Sequence, residues 1–274
     1  MNQEEFTYIK KKIRELTKFD LDRYGKNQML RRLDGFLSRS KISSVAQYCQ
    51  LLEKDSEERE RLQNFLTINV SEFFRDLPHF RMLQEKILPP MLQHNLTLNI
   101  WSAGCSNGAE VYSVAIILNR LSPYRTHRIL ATDIDSNILN QAIEGGPYKD
   151  SEIRNVPKDQ VDKYFDAVND AFWIKNDIRK KVIFKEHDLT CDPFENNFDL
   201  IICRNVVIYF SDEIKKMLRR KFPDALKING ILFIGATETM LDAGDLKFRR
   251  ISPCFYQKIG DTAEKKIAVK ASTK

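Results

Sequence analysis

No run in this chain approaches the roughly 18 consecutive apolar residues that a membrane-spanning helix needs, so none is expected. The amino-terminal Met1-Asn2-Gln3-Glu4-Glu5 is acidic and has no apolar stretch behind it, which argues against a secretion signal. Cysteine is sparse. The five residues, Cys49, Cys105, Cys191, Cys203 and Cys254, are odd in number and widely spaced. No C-x-x-C pair or Cys/His cluster occurs, and His79, His94, His127 and His187 are scattered. These absences argue against a disulfide scaffold and predict no metal site. Free thiols fit a reducing cytoplasm, the expected location. What the 274 residues do have is an apolar fraction of 42%, enough for one large domain or two ordinary ones.

The most informative stretch is Leu98 to Ser113. Its apolar start reads as a buried strand. Small residues then turn into a run with helical periodicity at Val111, Val114, Ala115 and Leu118. Gly104 and Gly108 remove the side chains that would hold a ligand off the backbone. A strand, a small-residue turn and a helix N-terminus together form a nucleotide-binding crevice. The third glycine of a dinucleotide fingerprint is missing, as are the lysine and Ser/Thr of a phosphate loop. A nucleoside with a charged tail and no phosphate fits better, and S-adenosylmethionine is the common ligand of that kind.

The next strand, Arg128 to Thr132, ends in Asp133-Ile134-Asp135. Asp133 lies about 23 residues past the glycine turn, near the spacing of about 20 for an acid that accepts from ribose hydroxyls. Either acid also suits a helix cap; Asp135 is read as the cap or a supporting acid. Two further strands, at 182–189 and 198–205, end in Asp188 and Asn205. Ligands in such sheets sit at the carboxyl ends of strands, where Gly104, Asp133, Asp188 and Asn205 would converge. Asp188-Leu189 is placed to meet an adenine, with a polar acceptor and an apolar side chain. Glu110 either meets an ammonium group or is simply an acid favoured in a first helical turn.

Up to about residue 66 the chain reads as short helices, with Phe6, Ile9, Ile13 and Leu16 in one and Leu30, Leu33, Phe36 and Leu37 in another. Ser44 with Gln47, and Asp55 with Glu58, are candidate capping boxes. Lys10, Lys11, Lys12, Arg14, Lys18, Arg23, Lys26, Arg31, Arg32, Arg39 and Lys41 outnumber the acids among them, so this surface either invites an acidic partner or is a solvated face. Thr67 to Asp76 reads as an amphipathic helix, either an interdomain joint or a segment whose Asn69, Ser71 and Arg75 are placed to close over a ligand. Pro78 and Pro89-Pro90 bracket the next helix. After a second crossover helix ending at Gly145-Gly146-Pro147, the α/β rhythm is interrupted by a helix and a small antiparallel hairpin. The helix beginning at Asp212 is read as stopping at Lys227-Ile228-Asn229-Gly230. A strand from Ile231 to Ala236 and a closing hairpin across Ser252-Pro253 follow.

The organisation expected is therefore a helical domain over 1–66, a linker and helix over 67–96 and a Rossmann-like α/β domain over 97–262. That domain carries an inserted antiparallel β-subdomain at about 147–181, and a disordered tail occupies 263–274. The stretch Arg204 to Phe210 occupies the acceptor position of such a fold. It lacks the Asn/Asp-Pro-Pro-aromatic run of base-modifying enzymes, which counts against nucleic-acid substrates. No His/Asp pair suggests a general base, and a carboxylate acceptor, already ionised at neutral pH, needs none. Arg75 and Tyr209 are the residues expected to orient such an acceptor, Tyr209 being otherwise a core aromatic whose hydroxyl reaches water.

These pieces resemble the CheR-type chemotaxis receptor methyltransferases over about residues 5 to 260. The resemblance is carried by Asn69 to Asp76, Trp101 to Ser113, Ala131 to Asp135, Cys203 to Phe210 and Gly235-Ala236-Thr237-Glu238. It implies a bacterial, monomeric enzyme that transfers the methyl group of S-adenosylmethionine to receptor glutamates, leaving methyl esters and S-adenosylhomocysteine. By position it implies cofactor contacts at Asn69, Ser71, Arg75, Glu110, Asp133, Asp188, Leu189, Asn205 and Val206, and a catalytic pair of Arg75 and Tyr209. The basic helical domain is then similar to the family's receptor-docking surface, with no role for nucleic acid or membrane insertion. Two departures stand out. Asp166 to Ala171 lacks the glycine of the loop with which some members capture a tethering peptide. Gly235-Ala236-Thr237-Glu238 replaces the more usual Gly-His-Ser-Glu. The alternatives are a methyltransferase acting on RNA or a small molecule, and a cofactor-binding regulator without catalysis.

Overall fold

The computed structural model describes residues 1–260 apart from 18, 41, 43 and 68. Lys18 and Lys41 of the basic cluster and the tail expected from 263 onward therefore lie outside the described residues. The chain forms two compact units. One comprises Met1–Asn69 with Ile208–Lys216, and the other comprises Val70–Val207 with the chain from Met217 onward.

The first unit is built on four helices, α1 (Gln3–Thr17), α2 (Lys26–Leu37), α3 (Val45–Lys54) and α4 (Ser56–Leu66). Their apolar stripes close a core of Ile9, Ile13, Met29, Leu33, Tyr48, Leu52 and Leu62, each 1% exposed or less. At about 1.5–3 kcal/mol per fully buried large apolar side chain, this core rather than helix propensity holds the unit. Ser44 caps α3 by accepting the Gln47 N–H. Asp55 caps α4 by accepting from the N–H groups of Glu57 and Glu58. The expected reciprocal arm of that second box is diverted, because the Glu58 carboxylate turns inward to accept from the Tyr48 hydroxyl at 2.9 Å and from Arg61 at 3.0 Å. The returning segment 208–216 joins this unit through backbone bonds. Gly25 N–H donates to the Tyr209 carbonyl at 2.9 Å, and Ser211 N–H donates to that of Arg23 at 2.8 Å. Several of the bases are paired within the unit, Lys10 with Asp22, Lys12 with Glu53, and Arg14 and Arg23 with Asp20.

The second unit holds a seven-stranded sheet. The strands, in chain order, are β1 (Asn99–Ala103), β2 (Arg128–Asp133), β5 (Val182–Glu186), β6 (Phe198–Cys203), β7 (Leu226–Ile234), β8 (Phe248–Ser252) and β9 (Phe255–Lys258). Their spatial order is β5-β2-β1-β6-β7-β9-β8. The first five in that order run parallel, and β9 and β8 close the edge antiparallel. β3 (Phe165–Val168) and β4 (Ala171–Ile174) form a separate two-stranded hairpin. β1 and β6 lie at the centre and are buried nearly throughout, as strands covered on both faces must be. Helix α7 (Ala109–Leu121) crosses from β1 to β2 and is buried at every position from Ala109 to Leu118. Helix α8 (Ser136–Glu144) follows β2, capped by the Asp135 carboxylate.

Three local expectations give way. Residues 69–76 are not helical. They form an irregular turn in which Phe74 (φ 52°) and Asp76 (φ 58°) both adopt left-handed backbone, and α5 (Leu77–Met82) begins only afterwards. Pro89 and Pro90 do not end a helix. A widened π turn over Leu83–Ile87 absorbs the missing N–H groups, and α6 (Leu88–His94) starts with the prolines in its first turn. Lys227 to Gly230 is no helix stop either. It is the first half of β7, displaced by a register shift opposite Phe198 and Leu200, with Asn229 taking φ 66°. The hairpin turn without glycine is also explained. Asn169 and Asp170 supply both left-handed positions (φ 49° and 60°) of a tight two-residue turn between β3 and β4.

Candidate active site

β5, β2, β1 and β6 pair in parallel, so the residues following them gather at one edge of the sheet within the second unit, where open α/β sheets have their ligand crevice. After β1, the N–H groups of Gly104 and Cys105 both donate to the Thr132 carbonyl at 2.8 and 2.9 Å, folding the turn onto β2. Gly104 sits at φ 81°, and a Cβ there would lie 2.5 Å from Val206 Cγ2. Only glycine lets this turn and the end of β6 approach so closely. Asn107 fastens the far side of the turn. Its side-chain amide donates to Glu152 at 2.6 Å, while its carbonyl accepts from the Tyr148 hydroxyl at 2.7 Å.

Asp133 and Asp135 take separate tasks. Asp135 accepts from the N–H groups of Asn137 and Ile138 and is the cap. Asp133 accepts from Ser106 N–H at 2.7 Å through one oxygen and from Asp135 N–H at 3.1 Å through the other. Burial pushes its carboxyl up to about 6, against the pull of those backbone donors. An acid held at a strand tip in this way is suited to exchange with hydroxyl donors. Asp188, after β5, accepts from both the N–H and hydroxyl of Thr190 at 2.8 and 2.6 Å, and the neighbouring Leu189 is 6% exposed.

Glu110 lies in the first turn of α7 and is 8% exposed. It accepts from the Ser102 hydroxyl at 3.0 Å and from Arg204 at 3.3 Å. Burial pushes its carboxyl up, while the Arg204 guanidinium, the Ser102 hydroxyl and the charge of Arg75 pull it back. Arg75, half-buried, donates to the Val70 carbonyl at 3.0 Å. Its turn is pinned by Phe73 N–H to the Glu152 carbonyl at 2.8 Å and by Phe74 N–H to the Ser113 hydroxyl at 3.0 Å. Ser71 lies half-buried in the same turn. The nearby thiols of Cys105 and Cys203 are pushed well up by burial, which keeps them protonated and poor nucleophiles.

Among the buried polar atoms here without a hydrogen-bond partner are Ser106 Oγ and Asn205 Oδ1. Such orphans are costly unless a ligand satisfies them. Together with the Gly104 cradle, the Asp133 carboxylate and the buried acid Glu110, they fit a nucleoside with an amino-acid tail. The residues brought together in this unit are Ser71, Arg75, Gly104, Glu110, Asp133, Asp188, Leu189, Asn205 and Val206. Asn69, whose side-chain amide donates to the Thr67 hydroxyl at 3.1 Å, and Tyr209 belong to the helical unit.

Two family models match the chain. Residues 4–67 match the CheR methyltransferase all-alpha domain, and residues 69–253 match the CheR methyltransferase SAM binding domain. The chain belongs to the CheR methyltransferase family. A chemotaxis protein methyltransferase of Listeria innocua is 34% identical over 257 residues, covering 93% of this chain and 98% of that one. One of Borreliella burgdorferi is 36% identical over 244 residues, covering 83% and 84%. Chemotaxis protein methyltransferase 1 of Pseudomonas aeruginosa is 31% identical over 227 residues, covering 78% and 82%. This CheR-family chain is an S-adenosylmethionine-dependent methyltransferase, and the crevice at the ends of β1, β2, β5 and β6 lies in the matched SAM binding domain.

Sequence reasoning missed several residues of this CheR-family site. Arg204 reads as the polar end of a strand, yet it joins Glu110 to the Arg75 turn. Glu238 closes the turn after β7, its carboxylate accepting from Gly235 N–H at 2.6 Å and Asn205 N–H at 3.3 Å. That gives the acid of Gly235-Ala236-Thr237-Glu238 a task, fixing Asn205 at φ 58°. Glu152 and Tyr148 hold the glycine turn from the insertion. The only signal for any of these was the charge of Arg204 and Glu238 beside apolar strands.

Proposed function

We propose that this chain methylates glutamate side-chain carboxylates on the cytoplasmic helical bundle of chemotaxis receptors, producing methyl esters and S-adenosylhomocysteine. The observation that carries this reading is the crevice itself. Gly104, Asp133, Asp188 and Asn205 meet at neighbouring strand ends, beside a turn that holds Arg75 next to a buried acid. S-adenosylmethionine, when bound, supplies a methyl group on a sulfonium. Asp133 would accept from the ribose hydroxyls, Asp188 and Leu189 would meet the adenine, and Glu110 would face the ammonium group. Asn69, Ser71, Asn205 and Val206 would complete the contacts. An acceptor carboxylate is already ionised, so the protein need only orient it and exclude water. Arg75 and Tyr209 are the residues proposed to orient it, the guanidinium by charge and the phenol by hydrogen bonding. The basic helical unit is proposed to dock the acidic receptor bundle, with the enzyme acting as a cytoplasmic monomer and without nucleic acid. Capture of a receptor's tethering peptide is left out of the proposal, because the β3–β4 turn is the short Asn169-Asp170 type.

The test uses S-adenosylmethionine labelled in its methyl group, the purified protein and a chemoreceptor cytoplasmic fragment. Label released from the receptor as methanol by mild alkali is expected and establishes carboxyl methyl esters. Cofactor binding without such transfer would overturn the glutamate reading in favour of another acceptor. Arg75→Ala is expected to lower turnover about a hundredfold or more, the scale for losing one preorganised charge at a reacting oxygen. Near-normal turnover would remove Arg75 from that role.

A further inference from the structure

The turn that carries Arg75 is strained on both sides, with Phe74 and Asp76 at positive φ. Left-handed backbone at a phenylalanine persists only where its surroundings over-determine it. One side chain reaches both this turn and the acid beside it. Arg204 follows β6 with its side chain 1% exposed. One guanidinium nitrogen, Nη2, donates to the Arg75 carbonyl at 3.0 Å and to the Asp76 carboxylate at 2.8 Å, and the other, Nη1, donates to Glu110 at 3.3 Å. The guanidinium carbon lies 4.7 Å from the Phe233 ring centre and 5.3 Å from that of Phe80, so it packs against both rings of an edge-to-face pair. Nε is buried without a partner, and among the described residues the hydrogen bonds of the group go to this one corner.

We propose that Arg204 is a positioning residue. It locks the strained Arg75 turn to Glu110, so that the acceptor-orienting guanidinium and the cofactor-facing acid keep a fixed relation during transfer. The inference rests on the functional reading above and deepens it. Arginine is required because two tasks are done by one rigid fork. A single ammonium can oppose Glu110 or hold the turn, but cannot do both. The groups facing Glu110 are Arg204 and Arg75, the Ser102 hydroxyl and the thiols of Cys105 and Cys203. Removing Arg204 leaves Arg75 as the one cation among them, so the carboxyl must take up a proton at higher pH.

The experiment compares wild type, Arg204→Gln and Arg204→Lys for turnover and, separately, for S-adenosylhomocysteine affinity across pH. Arg204→Gln is expected to lower kcat about a hundredfold with the acceptor KM little changed. The pH below which its ligand affinity falls should move up, because the buried Glu110 carboxyl loses the charge that opposes it. Arg204→Lys should restore the pH curve but not kcat, because charge returns and the fork does not. If lysine restores both, or if glutamine changes neither, the proposal is overturned. Should Arg204→Gln fail to fold by circular dichroism, Asp76→Asn carries the test, since Asp76 is 36% exposed. A fall in kcat at unchanged ligand affinity supports the lock, and unchanged kcat overturns it. The affinity curves need no acceptor. If wild type forms no ester on receptor, the functional reading fails while the Arg204 affinity measurement still stands.

Discussion

Lowering the pH should weaken cofactor binding through Asp133, and the structure sets the size of the effect. The carboxyl is raised to about 6, mainly by burial, with backbone donors from Asp135 and Ser106 opposing. The sign follows directly. Ribose hydroxyls are donors, the ionised acid is the better acceptor, and the ionised fraction is lost as pH falls through the raised value. With a pKa of about 6, roughly ten molecules in eleven carry the charge at about pH 7 and one in eleven at about pH 5, so affinity should fall about tenfold. An aspartate at its ordinary value of about 3.9 would change affinity by less than roughly a tenth over the same range. The ligand's own ammonium stays charged there, its ordinary pKa being about 8. Calorimetric titration with S-adenosylhomocysteine across this range reads the slope directly. Asp133→Asn should bind more weakly at neutral pH and show a flat profile. The reasoning is refuted if wild-type affinity is constant over the range, or if the asparagine variant keeps the slope. The second result would assign the proton to another acid, with Glu110 the first candidate because burial raises it too.

Other outcomes follow from single contacts. Gly104→Ala places a Cβ 2.5 Å from Val206 Cγ2 at φ 81°, and should cost about 1–3 kcal/mol of stability and lower cofactor affinity, read by thermal melting and titration. Gly235→Ala brings a Cβ to 2.8 Å from the Glu238 carboxylate and 2.9 Å from Asn205 N. It should lower kcat at saturating cofactor by displacing Asn205. Tyr48→Phe removes one donor to the buried Glu58 carboxylate and should destabilise the helical unit by about 1–3 kcal/mol, measured by urea denaturation. Arg61 still pairs with the other Glu58 oxygen, which keeps the loss toward the lower end.

The legible parts of the molecule were those set by local pattern. The runs at 99–103 and 198–203 gave the central strands because burial on both faces leaves few polar positions, Ser102 and Asp199 being the buried ones. The glycine turn, the acid after β2 and the cap at Asp135 were legible from spacing. What stayed hidden depended on contacts distant in sequence. Asn229-Gly230 looks like a stop, but pairing of β7 against β6 supplies enough ladder to carry a bulge through it. Phe73-Phe74 has helical density. Yet both rings are buried, Phe73 against Tyr148 and Phe165 and Phe74 against Phe80, which bends the backbone away from a helix. Glu58 offered a capping box until a tyrosine ten residues earlier provided a better donor.

The distribution of left-handed backbone extends this argument to the site. Away from the crevice such positions fall largely on Asn169, Asp170, Asn197 and Asn229, residue types that tolerate it in turns. Around the crevice they fall on Phe74, Asp76, Ser106 and Asn205 as well as on Gly104 and Gly108. At Phe74 turn propensity offers no reason for the conformation. Each of these corners is instead held by something remote. Phe73 and Phe74 are held by Glu152 and Ser113, Asp76 by Arg204, Ser106 by Asp133 and Asn205 by Glu238. The holders come from α7, from the insertion and from the ends of β2, β6 and β7. A corner that relaxes on its own would leave its holder's buried charge or carbonyl unsatisfied, so the strained turns are stable only together. A substitution at any one holder should therefore cost stability as well as turnover, most where it leaves a buried charge unpaired, as at Arg204.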